Sequence, residues 1–306
     1  IRDRSIYPQI PQKYGSSMID AHHHLWDLGK VSYPWLEAKG VARFFGDPSP
    51  IQRNYLLTEF REHAKVEGFR ASVHVQVGAA DPFDEAKWID SVAQANPDWP
   101  LVQVVYSDLT SPTVESDLDL IQKIPSVRGV RQIVGRSSEE DSKSGTNELL
   151  SSAAFRNGLI ELGKRNLSFD LQLTPELIVQ AAKVMSSAPD TKIALCHAGS
   201  PADRSAHGLE KWSSDLRLLS DMDNIFCKLS GLGMFDHNWT ENSIAPIVNE
   251  CIQQFGPSRC MFGSNFPVDS LYSDYSSLIQ AYRNIISKFA SELVFDKTAR
   301  DFYNIN

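Results

Sequence analysis

The chain has 306 residues, 42% of them apolar and 22% charged, which is the composition of a globular chain with ample core material and excludes a disordered or fibrous one. Thirty lysines and arginines against 38 acidic residues give a formal net charge of −8 with no basic run, which argues against nucleic acid or an anionic membrane as the main partner. No apolar run reaches the length of a membrane span, no signal-peptide core opens the chain, and Cys196, Cys227, Cys251 and Cys260 lack zinc-site or CxxC spacing, so a reducing, cytoplasmic setting is expected.

Residues 1–16 read as a polar, Pro-containing lead-in. From 17 to 306, apolar strand-like runs alternate with amphipathic stretches. Strands are expected at 18–24 (MIDAHHH), 71–77 (ASVHVQV), 101–106 (LVQVVY), 127–133 (VRGVRQI), 168–173 (SFDLQL), 192–197 (KIALCH), 225–230 (IFCKLS) and 260–265 (CMFGSN). Helices are expected near 53–66, 84–95, 114–123, 154–165, 175–187, 210–221, 243–255 and 274–289. Eight strand–helix units predict the α/β class and one (β/α)8 TIM barrel, a single domain. The long insertion at 25–68, with SYPWL and ARFFGDPSP, follows the first strand and so falls at the catalytic rim as a candidate lid. Its Tyr33, Trp35, Phe44 and Phe45 either form an apolar cover or pack the insertion against the barrel. The segment 137–145 reads as a polar loop.

Side chains alternate along a strand, which sorts the polar residues. The alternation sends His74, Gln76, Asp170, Gln172, Lys228 and Ser230 inward and places Arg131 near the end of strand four. Gln76, Arg131, Gln172, His197, Ser230 and Asn265 then project toward one rim, where barrel enzymes do their chemistry. A polar barrel top whose groups satisfy one another is the alternative for any single one.

The sharpest local signal is DAHHHLW at 20–26. Residues two apart share a strand face, so His22 and His24 converge on one ion, water or substrate oxygen while His23 points away. His197, closing the sixth strand before a Gly/Pro turn, supplies a third nitrogen ligand. These three are the candidate ligands for a single divalent ion, zinc being the expected one; a metal-free mechanism is an equal alternative.

DAHHHLW, LCHAGSPADRS (195–205) and MFGSNFPVD (261–269) together resemble the amidohydrolase superfamily, in the amidohydrolase-2 branch that includes sugar-lactone and 2-pyrone-4,6-dicarboxylate lactonases. The resemblance runs from about residue 17 to 303. It implies a hydrolase of a small lactone or related cyclic ester, with His22, His24 and His197 polarising the carbonyl directly or through an ion. It also implies that Arg131 binds a substrate carboxylate, for which a guanidinium fork is suited, unless Arg131 is paired with Asp170. Trp26, closing HxHxW, counts with Arg131, Gln76, Gln172 and Ser230 as substrate-binding. Where the branch carries a water-activating aspartate at strand eight, this chain has Asn265. A carboxamide orients water but does not usefully accept a proton, so the base falls to Asp269 or to a neutral His197.

The expected substrate is a small anionic or polyhydroxylated molecule. Asp203 and Arg204 in SPADRS read as a solvated loop pair or a substrate contact. A metal-dependent decarboxylase of an aromatic or carboxylic acid and a non-catalytic binding protein are the competing readings, and assembly into a homo-oligomer is left open.

Overall fold

The computed structural model describes residues 17–135 and 146–306; the expected lead-in at 1–16 and the expected loop at 137–145 lie outside the described residues. Eight strands form one sheet in sequence order: β1 Met18–His23, β2 Phe69–Val75, β3 Leu101–Val105, β4 Val127–Val130, β5 Ser168–Leu171, β6 Ile193–Leu195, β7 Ile225–Leu229 and β8 Cys260–Phe262. All seven neighbouring pairs are parallel. Backbone bonds from Asn265 N to His22 O (2.7 Å) and from His24 N to Phe266 O (2.8 Å) join the end of β8 to β1. The result is the single (β/α)8 barrel expected from the alternation.

Besides the short turns Pro34–Glu37 and Lys288–Glu292, the α-helices among the described residues are α1 Leu57–Val66, α2 Pro82–Ala95, α3 Val114–Ile121, α4 Ala153–Lys164, α5 Ile178–Met185, α6 Ala206–Ser220, α7 Glu241–Phe255, α8 Tyr275–Ile285 and α9 Thr298–Tyr303. Several start on side-chain caps that satisfy free N–H groups: Asp81 before α2, Ser152 before α4, Ser205 before α6, Thr240 before α7 and Asp274 before α8. The helices other than α9 bury apolar stripes on the outward faces of the strands, where Val130, Phe169, Leu171, Ile193, Leu195, Leu229 and Phe262 form part of one large core.

The lumen is a second, smaller core of Ile19, Ala21, Ala71, Val73, Val75, Val102, Val104, Ala194 and Met261, joined by Ala299, Phe302, Tyr303 and Ile305 of the C-terminal segment. This corrects one strand reading. Val73 and Val75 take the inner positions of β2, so His74 faces α2, where its Nε2 meets Glu85 Oε1 at 3.2 Å. Leu25 N–H donates to His74 Nδ1 at 3.1 Å, which leaves the imidazole proton on Nε2 for Glu85. Gln76 still reaches the cavity, because β2 ends at Val75 and the alternation ends with it.

Above the apolar floor lies a polar layer. Lys228 on β7 and Asp170 on β5 pair at 2.6 Å with both side chains fully buried, and Tyr303 O–H donates to the other Asp170 oxygen at 2.8 Å. Asp170 is therefore the partner of Lys228 and not of Arg131. Removing one member of a buried pair strands the other charge. Asp170→Asn is expected to cost about 3 kcal/mol, and the double replacement Asp170→Leu with Lys228→Met should recover most of it. Urea unfolding followed by tryptophan fluorescence checks this; an unchanged midpoint for the single variant would overturn the assignment.

Candidate active site

The end of β1 builds the centre of the site. Its register against β2 shifts between Asp20 and His23, a local irregularity that breaks the alternation after Ala21 has entered the lumen. His22 and His24 consequently share the inner side, with ring centroids 5.1 Å apart, while His23 stacks on Phe60 of α1 at 3.9 Å. His197 approaches His22 to 4.7 Å. It lies just past β6 with φ 55, in the left-handed region, and the strained turn carries its ring across the top of the lumen. Its Nδ1 meets Ser230 Oγ at 3.0 Å. Two glycines make room: a Cβ at Gly263 would meet His22 Cβ at 2.5 Å, and one at Gly231, where φ is +66, would meet His197 Nδ1 at 2.3 Å.

All three imidazoles are held neutral. Burial pushes His22 well below its ordinary value, helped by the charge of Lys228, and does the same to His24, helped by Arg131. Burial, then Arg131 and Lys228, push His197 down to about 3. The His24 proton sits on Nδ1, which donates to Val75 O at 2.7 Å. Its Nε2 lone pair then faces Asn265 Oδ1 at 3.2 Å, an acceptor against an acceptor. Asn265 is set in turn by its Nδ2 donating to Asp269 Oδ1 at 2.9 Å. Burial pushes the Asp269 carboxyl up to about 7.

These facts test whether a divalent ion fits. Both ring nitrogens of His22 are buried without a partner, and His24 Nε2 and Asn265 Oδ1 present converging lone pairs. Imidazoles sharing one tetrahedral zinc through bonds of about 2.0–2.1 Å have centroids roughly 5 Å apart, which matches the spacings here. His22 is thus spaced from both His24 and His197 as two ligands of one ion would be. A deeper group, His22, Asp170 and Cys196 with donor atoms within 4.8 Å of one another, fits less well. Lys228 already neutralises Asp170, and burial pushes the Cys196 thiol up to about 12, where it stays protonated.

A cavity of about 460 Å³ opens above this centre. His24, Trp26, Gln76, Arg131, Gln172, His197 and Asn265 lie on its wall. His22, Ser230 and Asp269 do not: His22 lies beneath, Ser230 supports His197, and Asp269 stands behind Asn265. Ser230, expected to touch substrate, is buried with its Oγ against His197 Nδ1. The cause is the turn at His197, which covers the end of β7.

Arg131 is buried, with Nη1 donating to Gln172 Oε1 at 2.7 Å and Nη2 to Gln76 O. Among the described residues no carboxylate lies within ion-pair reach of it. Arg204 lies off the cavity, donating to Leu232 O at 3.3 Å, and Asp203 binds the N–H of Ser205 at 2.9 Å. The insertion supplies Trp35, Arg43, Phe44 and Phe45 to the cavity wall, while Tyr33 is buried behind it. Sequence reasoning missed Tyr106, Gln132, Met234 and Val268. Tyr106 closes the third strand-like run and Gln132 follows Arg131, so position past a strand end was the available signal.

Residues 19–305 match the model of the family described as amidohydrolase. The chain is 36% identical over 296 residues to the uncharacterized protein y4mH of Sinorhizobium fredii, covering 94% of this chain and 99% of that protein. It is 25% identical over 283 residues to an L-fucono-1,5-lactonase of Burkholderia multivorans, covering 88% and 89% of the two chains. A crystal structure of an amidohydrolase from Burkholderia multivorans with bound zinc superposes with a TM-score of 0.80 at 22% identity, covering 94% of this chain and 99% of that one. The chain belongs to the amidohydrolase family and is a hydrolase.

Proposed function

We propose that this hydrolase opens a small lactone bearing an anionic group, with the three histidines at the carbonyl and Arg131 at the anion. The observation that carries the reading is Arg131: a buried guanidinium on the cavity wall, beside the histidine centre, held by amide and carbonyl oxygens and left without a carboxylate. Such a charge costs free energy when buried alone and is relieved by an anionic ligand. The L-fucono-1,5-lactonase relative supports the lactone half of the reading.

In the reaction the oxygen of water bonds to the lactone carbonyl carbon, the ring C–O bond breaks, and the ring oxygen takes a proton to leave a hydroxy acid. His22, His24 and His197 would hold a divalent ion, which polarises the carbonyl and acidifies water when bound. Arg131 orients the substrate through its carboxylate. Asn265 Oδ1 accepts an O–H of the attacking water and aims it. Asp269, one hydrogen bond behind, fixes the amide through Oδ1 and offers its other oxygen, Oδ2, to the water's proton, which does not pass through the amide. Without an ion, His197 Nε2 faces the cavity as the alternative acceptor, since its Nδ1 is held by Ser230.

Arg131→Met should reduce kcat/KM on an anionic lactone by roughly 30- to 100-fold, the worth of about 2–3 kcal/mol in charge-assisted hydrogen bonds, mostly through KM. A neutral lactone should lose far less, and equal losses on both would count against the anion site.

The pH profile follows from Asp269, whose carboxyl lies near 7 in the fold. Above that pH the ionised group accepts Asn265 N–H strongly and can take a proton; below it the protonated carboxyl is a weaker acceptor and no longer a base. Activity should therefore rise with pH through about 7, and Asp269→Asn should flatten that limb. A profile unchanged by Asp269→Asn would remove Asp269 from the mechanism.

Chelation should remove about one equivalent of zinc and the activity together, as read by elemental analysis beside the hydrolysis assay. Activity that survives in ion-free protein would assign polarisation to the histidines themselves. His24→Ala should cost on the order of 10²–10³ in kcat, whereas His23→Ala should leave kcat/KM within a few-fold.

A further inference from the structure

The polar groups on the cavity wall are unevenly available. Gln76 spends its oxygen on Gly78 N–H at 2.9 Å and its nitrogen on Arg131 O at 3.2 Å. Gln132 accepts from Leu109 N–H at 3.0 Å and donates to Asp108 at 3.2 Å. The indole N–H groups of Trp26 and Trp35 donate to Arg53 O and Val77 O, each at 2.6 Å. The Tyr106 hydroxyl is bonded to Gln132. Apart from the Tyr106 hydroxyl and the insertion's Arg43, which has contacts of its own, what remains for a ligand is the Arg131 guanidinium, the Gln172 amide nitrogen, which has no partner among the described residues, and the His24, His197 and Asn265 centre.

The side of the wall supplied by the insertion is aromatic, with Arg43 set over the Trp35 ring at 5.9 Å. Trp26 and Trp35 meet edge to face at 5.7 Å, Trp35 and Phe45 at 6.1 Å, and Phe44 and Phe45 at 5.2 Å. Leu149 and Val268 extend the apolar lining. A ligand hydroxyl buried against this wall meets rings and saturated amides and loses its water without replacement, at a cost of roughly tenfold in affinity for each such group. An apolar or aromatic substituent in the same place gains from leaving water.

We propose that the substrate is a carboxylated lactone whose other half is apolar or aromatic, not a polyhydroxylated sugar lactone. The inference rests on the hydrolase reading above and selects the substrate class within it. The carboxylate lies at Arg131 and Gln172, the lactone carbonyl at the histidines, and the substituent against Trp35 and Phe45.

The test uses the full chain and three probes: a δ-lactone carrying a carboxylate and a phenyl group, the same lactone as its methyl ester, and a six-membered sugar lactone. Hydrolysis is followed with a pH indicator and binding by thermal shift. The carboxylated phenyl lactone should exceed the sugar lactone at least 100-fold in kcat/KM, and Trp35→Leu should lower its kcat/KM about tenfold, mainly through KM. Equal or faster opening of the sugar lactone overturns the inference and leaves the hydrolase reading intact. If no probe is opened but the phenyl lactone alone stabilises the protein, the ligand class stands and the lactonase reading fails. If the phenyl lactone is neither opened nor bound, the inference is overturned.

Discussion

The site depends on how one buried carboxylate closes the barrel. Asp20, fully buried on β1, accepts from His22 N–H at 3.1 Å, Ser264 N–H at 3.0 Å and Tyr275 O–H at 3.0 Å. It thereby ties the first strand, the segment after the last strand and the helix α8 that covers their seam. Burial nevertheless pushes its carboxyl up to about 6, a measure of how little water reaches it. The same seam carries the irregularity that brings His22 and His24 to one side, and Gly263 leaves His22 the space to lie there. Barrel closure and active-centre geometry are one arrangement, because the strands that meet last hold His22, His24 and Asn265.

Electrostatics then divide the barrel into layers. The apolar floor and the C-terminal plug exclude water from below. The Lys228–Asp170 pair above it is neutral as a unit, yet its ammonium end lies toward His22 and His197 and favours their uncharged forms. Arg131 adds a second positive charge, with no carboxylate within ion-pair reach among the described residues. The cavity pole is therefore cationic while its imidazole nitrogens keep their lone pairs, a combination that suits an ion or a carbonyl oxygen at the centre and an anion beside it.

Much of this was legible in the sequence where local chemistry alone decides. The βα rhythm gave all eight strands, since their apolar runs end in polar or Gly/Pro residues. The HxH spacing and the His197 turn identified the three rings that meet. Alternation failed where tertiary packing chose the face: His74 and Val75 compete for the lumen, and the partner Glu85 on α2 decides for the helix side. It failed again past the strand ends, where Tyr106 and Gln132 turn into the cavity and Ser230 is covered by the His197 turn. Saturation of Gln76 and Gln132 was invisible, because their partners come from loops whose conformations no period in the sequence encodes.

Asn265 makes the final point about charge placement. A carboxylate at this position would face the His24 lone pair at 3.2 Å and add negative charge to the pole that Arg131 makes positive. With an amide there, the acceptor oxygen remains and the charge moves to Asp269, one 2.9 Å hydrogen bond farther from the cavity. Two residues four apart thus divide the features of one acid: Asn265 presents an oxygen at the cavity, and Asp269 orients Asn265 and carries the charge. The division weakens the site for a highly charged metal cluster and strengthens it for an anionic substrate, because the repulsion that a rim carboxylate would exert on the incoming anion is set back from the wall.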